Sequence, residues 1–198
     1  MSITSASTST ASTTRPALPP GTYALDPYHS SVHFQIKRLG LSNVRGTFKA
    51  FTATLVVGET LGDVAVAAEI DLLSIDTGQP DRDAHLLGTD FFDAERNPTM
   101  VFRSTSIAQV GADRYDMTGD LTINGRTRPV TFRTEFNGTE LFPADQSVHI
   151  GFTASGDVRR GDFGIDFNMP LGVDKLAVGD KVKVELDIQF IAPTPAEA

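Results

Sequence analysis

The 198-residue sequence has no cysteine and no tryptophan. Without thiols it has no disulfide scaffold, no thiolate nucleophile and no cysteine-ligated zinc or iron–sulfur centre. Basic residues are outnumbered: 17 Lys and Arg stand against 25 Asp and Glu, for a formal net charge of −8. No run of them resembles the basic stripe of a nucleic-acid binder. An acidic chain also has no general attraction to anionic membrane surfaces. No stretch approaches the roughly 20 apolar residues that span a bilayer as a helix. The histidines number four. Were His29 and His33 on one strand, they would lie about 13 Å apart and could not share an ion. His33 and His149 fall on polar parities and read as solvent-facing. H-E-x-x-H, G-x-S-x-G and the P-loop are all missing. A scattered Ser–His–Asp triad is defined by geometry, so sequence does not settle it. The expectation is a chain without a metal site and without catalysis.

The first twenty residues, MSITSASTSTASTTRPALPP, are rich in Ser, Thr and Ala and read as a disordered tail. They carry no apolar run behind a basic start, so they do not read as a secretory signal, and a cytoplasmic location is expected. Residues 192–198 read as a second flexible tail. Residues 21–191 form one domain, and a domain of this size needs no disulfide or metal staple.

Within that domain the pattern has period two. In SVHFQIKR, Val32, Phe34 and Ile36 share one parity. In DKVKVELDIQF, Val182, Val184, Leu186, Ile188 and Phe190 do the same. RYDMTGDLTI, PVTFRTEF and SVHIGFTA repeat the alternation through Met117, Leu121, Ile123, Phe132 and Phe152. Side chains alternate across a strand, so each segment has one dry and one wet face. Asn124-Gly125 and Asn137-Gly138 read as tight hairpin turns. The turn reading is preferred to the glycosylation sequon that begins at Asn137. With further strands around 44–57, 64–75 and 98–109, the total is about eight, mostly antiparallel. The fold class is all-β, a small closed barrel, since closure removes hazardous edges. Such an interior is either filled by its own side chains or holds one small ligand.

One stretch breaks the alternation. Pro80 suits a first helical turn, Asp81 and Asp83 complement the helix dipole there, and Gly88 suits the stop. A single short helix is expected at about 80–88, with Arg82, His85 and Leu86 on one face and an Asp81–His85 pair four residues apart.

Several segments together carry a resemblance. SIDTGQPDRDAHLLGTDFFDAERNPTMVF resembles the signature of the YceI-like, or polyisoprenoid-binding, family. DPYHSSVHFQIKRLGLSNVRGTF, TGDLTINGRTRPVTF and RRGDFGID are similar to further family segments, in order, from about Tyr23 to Phe190. The resemblance implies a lipocalin-like antiparallel β-barrel around an elongated apolar cavity. It implies a long-chain amphiphile as ligand, such as a polyisoprenoid, an isoprenoid quinone or an acyl lipid. It implies no catalytic reaction and no cofactor beyond that lipid. The alternative is a stress-protective or interaction module with a solid core. Whether two barrels pair as a homodimer stays open.

Candidate cavity residues are Val32, Phe34, Ile36, Phe91, Phe92, Phe102, Met117, Leu121, Ile123, Phe132, Phe152, Phe163 and Leu186. For the mouth or head group they are Arg38, Arg82, His85, Arg160 and Asp162. Arg38 stands where the family often has His before Leu-Gly. On the apolar parity at a strand end, it can snorkel to the mouth or meet an anionic head group.

Overall fold

The computed structural model describes residues 17–172 and 176–193. β1 (Gly21–Leu25) and β2 (Ser31–Arg38) are two halves of one stave. The break falls at Asp26, whose carboxylate accepts the Tyr28 N–H at 3.0 Å and meets His29 Nδ1 at 2.8 Å, a local turn that competes with the sheet ladder. β3 (Ser42–Phe48) and β4 (Phe51–Val57) form the second stave, bent at Lys49 and Ala50. β5 (Ala65–Asp71) and β6 (Ile75–Asp76) form the third. They are separated by a 3₁₀ turn whose Leu73 N–H is capped by Asp71 at 2.9 Å.

α1 (Pro80–Leu87) follows, then β7 (Thr99–Gln109), β8 (Arg114–Ile123), β9 (Arg126–Leu141), β10 (Val148–Arg159) and β11 (Val178–Ile191). Each stave pairs antiparallel with the next. β11 then pairs back onto β2, and through Ala24↔Ile191 and Leu25↔Phe190 onto β1. The result is a closed up-and-down barrel of eight staves, in agreement with the alternation. The helix begins at Pro80, and Gly88 is its C-cap.

Three expectations need correction. Asn124-Gly125 is the hairpin turn, with φ of 51° and 68°. Asn137-Gly138 lies inside β9, where the β9–β10 register slips by one residue beside Gly138 (φ 108°). Glycine there admits a bulge rather than a reversal. The tail drawn to residue 20 is too long: Leu18 is buried, and the Tyr23 hydroxyl donates to the Pro19 carbonyl at 2.7 Å. Residues 1–16 and 194–198 lie outside the described residues. Finally, His149 is not solvent-facing; its Nδ1 approaches the buried Asp26 carboxylate at 3.5 Å.

The buried apolar side chains form two separate clusters. One includes Phe48, Leu72, Phe102, Phe132 and Phe163, near the barrel end that carries α1. The other includes Leu18, Tyr23, Leu55, Ile150 and Phe190, at the end where the described N- and C-terminal residues meet.

Candidate functional site

Between these clusters lies a cavity of about 750 Å³, within the usual range for small-molecule sites. The inward parity of each stave builds its wall, and three glycines make room for it. Phe34 lies over Gly46, Phe102 over Gly119 and Phe132 over Gly156. A Cβ at Gly156 would sit 2.8 Å from Phe132 Cδ1, so the ring packs directly against bare backbone. Phe102 and Phe132 meet edge to face with centroids 5.6 Å apart. An interior of this shape is hollow, where the solid-core alternative requires it filled.

Val32, Phe34, Ile36, Phe91, Phe92, Phe102, Met117, Leu121, Ile123, Phe132, Phe152 and Leu186 all line the cavity. Phe163 does not; it is 1% exposed and packed into the core beside the wall. Wall residues absent from the sequence reading fall into two kinds. Val44, Phe48, Phe51, Val66, Ala68 and Ile70 sit on regular strands, and period two would have found them. Phe167, Met169 and Leu171 line the mouth from an irregular segment, where no periodicity points inward.

The charged lining groups gather toward α1, while Tyr115 and Thr134, paired across β8 and β9, line the wall further along. Asp83 accepts from the Thr77 hydroxyl and from the Thr77 N–H at 3.0 Å. Arg82 donates to the same hydroxyl at 2.7 Å and to the Thr77 carbonyl at 2.8 Å. These bonds fix α1 against the end of β6. The expected Asp81–His85 pair does not form. The chain reverses after Gly88, and His85 Nε2 meets Asp90 at 2.9 Å. The His85 ring stacks edge-on with Phe91 and Phe167 at 5.1 and 5.0 Å.

Arg160 is buried, and its guanidinium donates to the carbonyls of Ile165, Phe167, Gly179 and Val178 at 2.7 to 3.4 Å. Burial pulls its proton affinity below the ordinary arginine value, with Asp180 and Asp166 opposing. Its role is to tie the segment after β10 to β11. Asp162 is exposed and off the cavity wall. Arg38 is exposed at the rim and lines the opening beside Lys37. Lys37, Arg38, Arg82 and Arg160 line the site, whereas no aspartate or glutamate does. Carboxylates stand behind two of these cations: Asp83 shares the Thr77 hydroxyl with Arg82, and Asp180 and Asp166 act on Arg160.

At the opposite end, Ser147 Oγ lies 2.9 Å from His149 Nε2, and His149 leads on to Asp26. The same serine hydroxyl donates to Asp145 at 2.6 Å, so its proton points away from the imidazole. None of the three residues lines the cavity. Among the described residues, no group of three or more His, Asp or Glu is placed to hold a metal ion. No described helix is long and apolar enough to cross a membrane.

The sequence pattern of the YceI-like domain matches residues 23–190. A UPF0312 protein of Staphylococcus epidermidis is 38% identical over 169 residues, covering 85% of this chain and 96% of that protein. Among solved structures, Burkholderia cenocepacia BcnA superposes with a TM-score of 0.72 at 24% identity, covering 83% of this chain and 98% of that one. A polyisoprenoid-binding domain from Saccharophagus degradans superposes with a TM-score of 0.64 at 15% identity, covering 86% and 98%. These two likenesses establish the shared fold.

Proposed function

This chain belongs to the YceI-like family, and on that premise we propose that it is a non-catalytic carrier of a long-chain amphiphilic lipid. The observation that carries the reading is the interior itself: a hollow of about 750 Å³ walled mainly by apolar side chains, with Lys37, Arg38, Arg82 and Arg160 but no carboxylate among its lining residues. Each CH₂ taken from water contributes about 0.8 kcal/mol. A chain burying about ten of them therefore gains on the order of 8 kcal/mol before association costs are subtracted. Affinity then needs few polar contacts, which suits a wall with few polar groups. The cations favour an anionic head group, carboxylate or phosphate, near Arg82 and Arg38, with the tail running toward Phe136 and Phe190. The polyisoprenoid-binding domain of similar fold supports a prenyl chain as one candidate tail, and a polyprenyl phosphate unites the two features.

The test is gentle purification from the native host, followed by organic extraction and mass spectrometry. A stoichiometric long-chain amphiphile is expected. Repeated recovery of empty protein that also refuses prenyl phosphate and fatty-acid probes would end the carrier reading. Among accepted probes, a prenyl phosphate should outcompete the matching prenol; the reverse order would remove the anionic head group.

A further inference from the structure

The rim of the cavity has an unusual surface. Leu41 is 84% exposed, Leu176 60% and Met169 58%, and Leu39 and Leu171 are also exposed. They come from the turn after β2 and from the residues Met169–Leu171 and Leu176, held side by side. The Leu39 N–H donates to the Ala177 carbonyl at 2.7 Å, and the Ala177 N–H donates to Met169 at 2.9 Å. Leu39 and Gly40 both have positive φ, 56° and 70°. That conformation is uncommon for a bulky residue such as leucine and costs free energy that the surroundings must offset. The turn thus presents leucine outward where a polar residue would serve a soluble surface better. Leu39, Met169 and Leu171 belong to the cavity wall as well as to the rim. The apolar surface therefore runs without interruption from the outside of the barrel to its interior.

Beside these residues stand Lys37 and Arg38, which enter no salt bridge among the described residues. We infer that this rim docks on an anionic lipid bilayer, with the exposed leucines entering the interface and Lys37 and Arg38 meeting lipid phosphates. The inference rests on the carrier reading above, since it supplies the route by which a lipid enters the cavity without crossing water. The geometry favours a bilayer over a protein partner. The exposed apolar groups stand at the turn after β2 and on the neighbouring Met169, Leu171 and Leu176, and exposed apolar groups flanked by cations suit insertion into an interface. The net charge of −8 opposes approach to anionic lipid in general, so cations placed beside the exposed leucines favour this orientation.

The experiment compares the full chain with a Leu41→Asp/Leu176→Asp variant, both replaced side chains being exposed. Sedimentation is measured with vesicles of phosphatidylcholine alone and with added phosphatidylglycerol. Loading is measured separately with a fluorescent fatty acid dispersed in detergent. The expected result is vesicle binding that strengthens with phosphatidylglycerol and falls about tenfold or more in the variant, with detergent-delivered loading unchanged. Equal sedimentation of both proteins overturns the inference. So does wild-type protein that ignores vesicles while loading from detergent, an outcome that leaves the carrier reading intact. Vesicle binding by a protein that refuses every probe supports docking and defeats the carrier reading instead. A concentration-dependent dimer, seen by light scattering and lost in the variant without any vesicle binding, assigns the rim to a second copy of the chain and overturns the bilayer.

Discussion

Replacing Gly46 with alanine would narrow the cavity without changing its chemistry. Gly46 faces Phe34 across the β2–β3 ladder. A Cβ at Gly46 would lie 2.7 Å from Phe34 Cε1, closer still to Cζ, and 2.9 Å from Thr77 Cγ2. Carbon atoms pack at about 3.5–4.0 Å, so the phenyl ring has to move by roughly 1 Å. All of these neighbours are side-chain atoms, so the strand itself can stay in place. Phe48 stands 5.4 Å from the ring, centroid to centroid, on one side, and the free direction is the lumen. In a filled core such overpacking costs about 1–3 kcal/mol. Here the ring has space to enter, and alanine restricts the unfolded chain by about 0.4–1 kcal/mol relative to glycine. The two terms oppose each other, and stability should stay within about 1 kcal/mol of the parent. Urea unfolding followed by circular dichroism measures this in a chain without tryptophan. Displacement of a fluorescent fatty acid measures loading, which should fall several-fold. Unchanged loading at unchanged stability would refute the assignment of Phe34 to the ligand's path. A loss above about 3 kcal/mol would refute the free space behind the ring.

Phe132→Trp should also reduce loading while the barrel stays folded. As the sole tryptophan it should change emission when ligand enters, and a silent, fully loading variant would take Phe132 off the wall. Ala154→Leu, on the same wall, should raise stability by about 0.5–2 kcal/mol through cavity filling while abolishing loading; a stability loss would mean there is no room. Asp26→Ala should cost about 1–3 kcal/mol at pH 7, because it removes the acceptor of the Tyr28 N–H and the partner of the half-buried His149 imidazole. Burial alone would raise the Asp26 carboxyl, but the bonds from His29 and the Tyr28 N–H hold it below the ordinary carboxylate value. Its contribution is therefore complete above the unfolded value of about 3.9 and fades as pH falls through the lower folded value. Wild type should show an acid-induced stability loss below about pH 4 that the variant lacks in part, and identical acid profiles would reject this. Arg160→Met should cost on the order of 3 kcal/mol by orphaning the carbonyls of Ile165, Phe167 and Gly179; an unmoved urea midpoint would show that those carbonyls find other partners.

The barrel was legible because its signal is repetitive. Val32, Phe34 and Ile36, like Met117, Leu121 and Ile123, state the inward face several times over, and one misread turn cannot reverse that parity. The helix was legible because Pro80, Asp81 and Asp83 are local signals. The failures were non-local. Nothing near His149 in sequence announces Asp26, which arrives from β1's end through closure of the barrel. Arg160 reads as a mouth or head-group candidate, and only the fold brings the carbonyls of Ile165, Phe167, Val178 and Gly179 around its guanidinium. Phe163, in the same 3₁₀ turn, reads as a cavity aromatic but packs into the core beside the wall. The Asn137-Gly138 signal was sound in its local preference for positive φ and wrong in its use, because a long strand can absorb that φ as a bulge.

Whether the barrel is filled or hollow is a question of volume, and parity carries no volume. The relevant signal is the size of the inward residues. Gly46, Gly119 and Gly156 face rings rather than turns, and Ala53, Ala68 and Ala154 stand on the wall where a packed barrel of this parity would carry Leu or Ile. Each small residue withdraws side-chain volume from the centre, and each phenyl ring over a glycine moves further apolar bulk outward to the wall. The two buried clusters then hold the staves together around the cavity, with partly buried wall residues such as Met117, Ala154 and Phe152 packed against them. Dispersion and cavity terms make an empty apolar volume unfavourable. A fold that keeps such a volume is therefore more stable when something apolar occupies it. The same small residues that cost the free protein stability are what give the ligand its room, so cavity-filling substitutions should separate stability from loading.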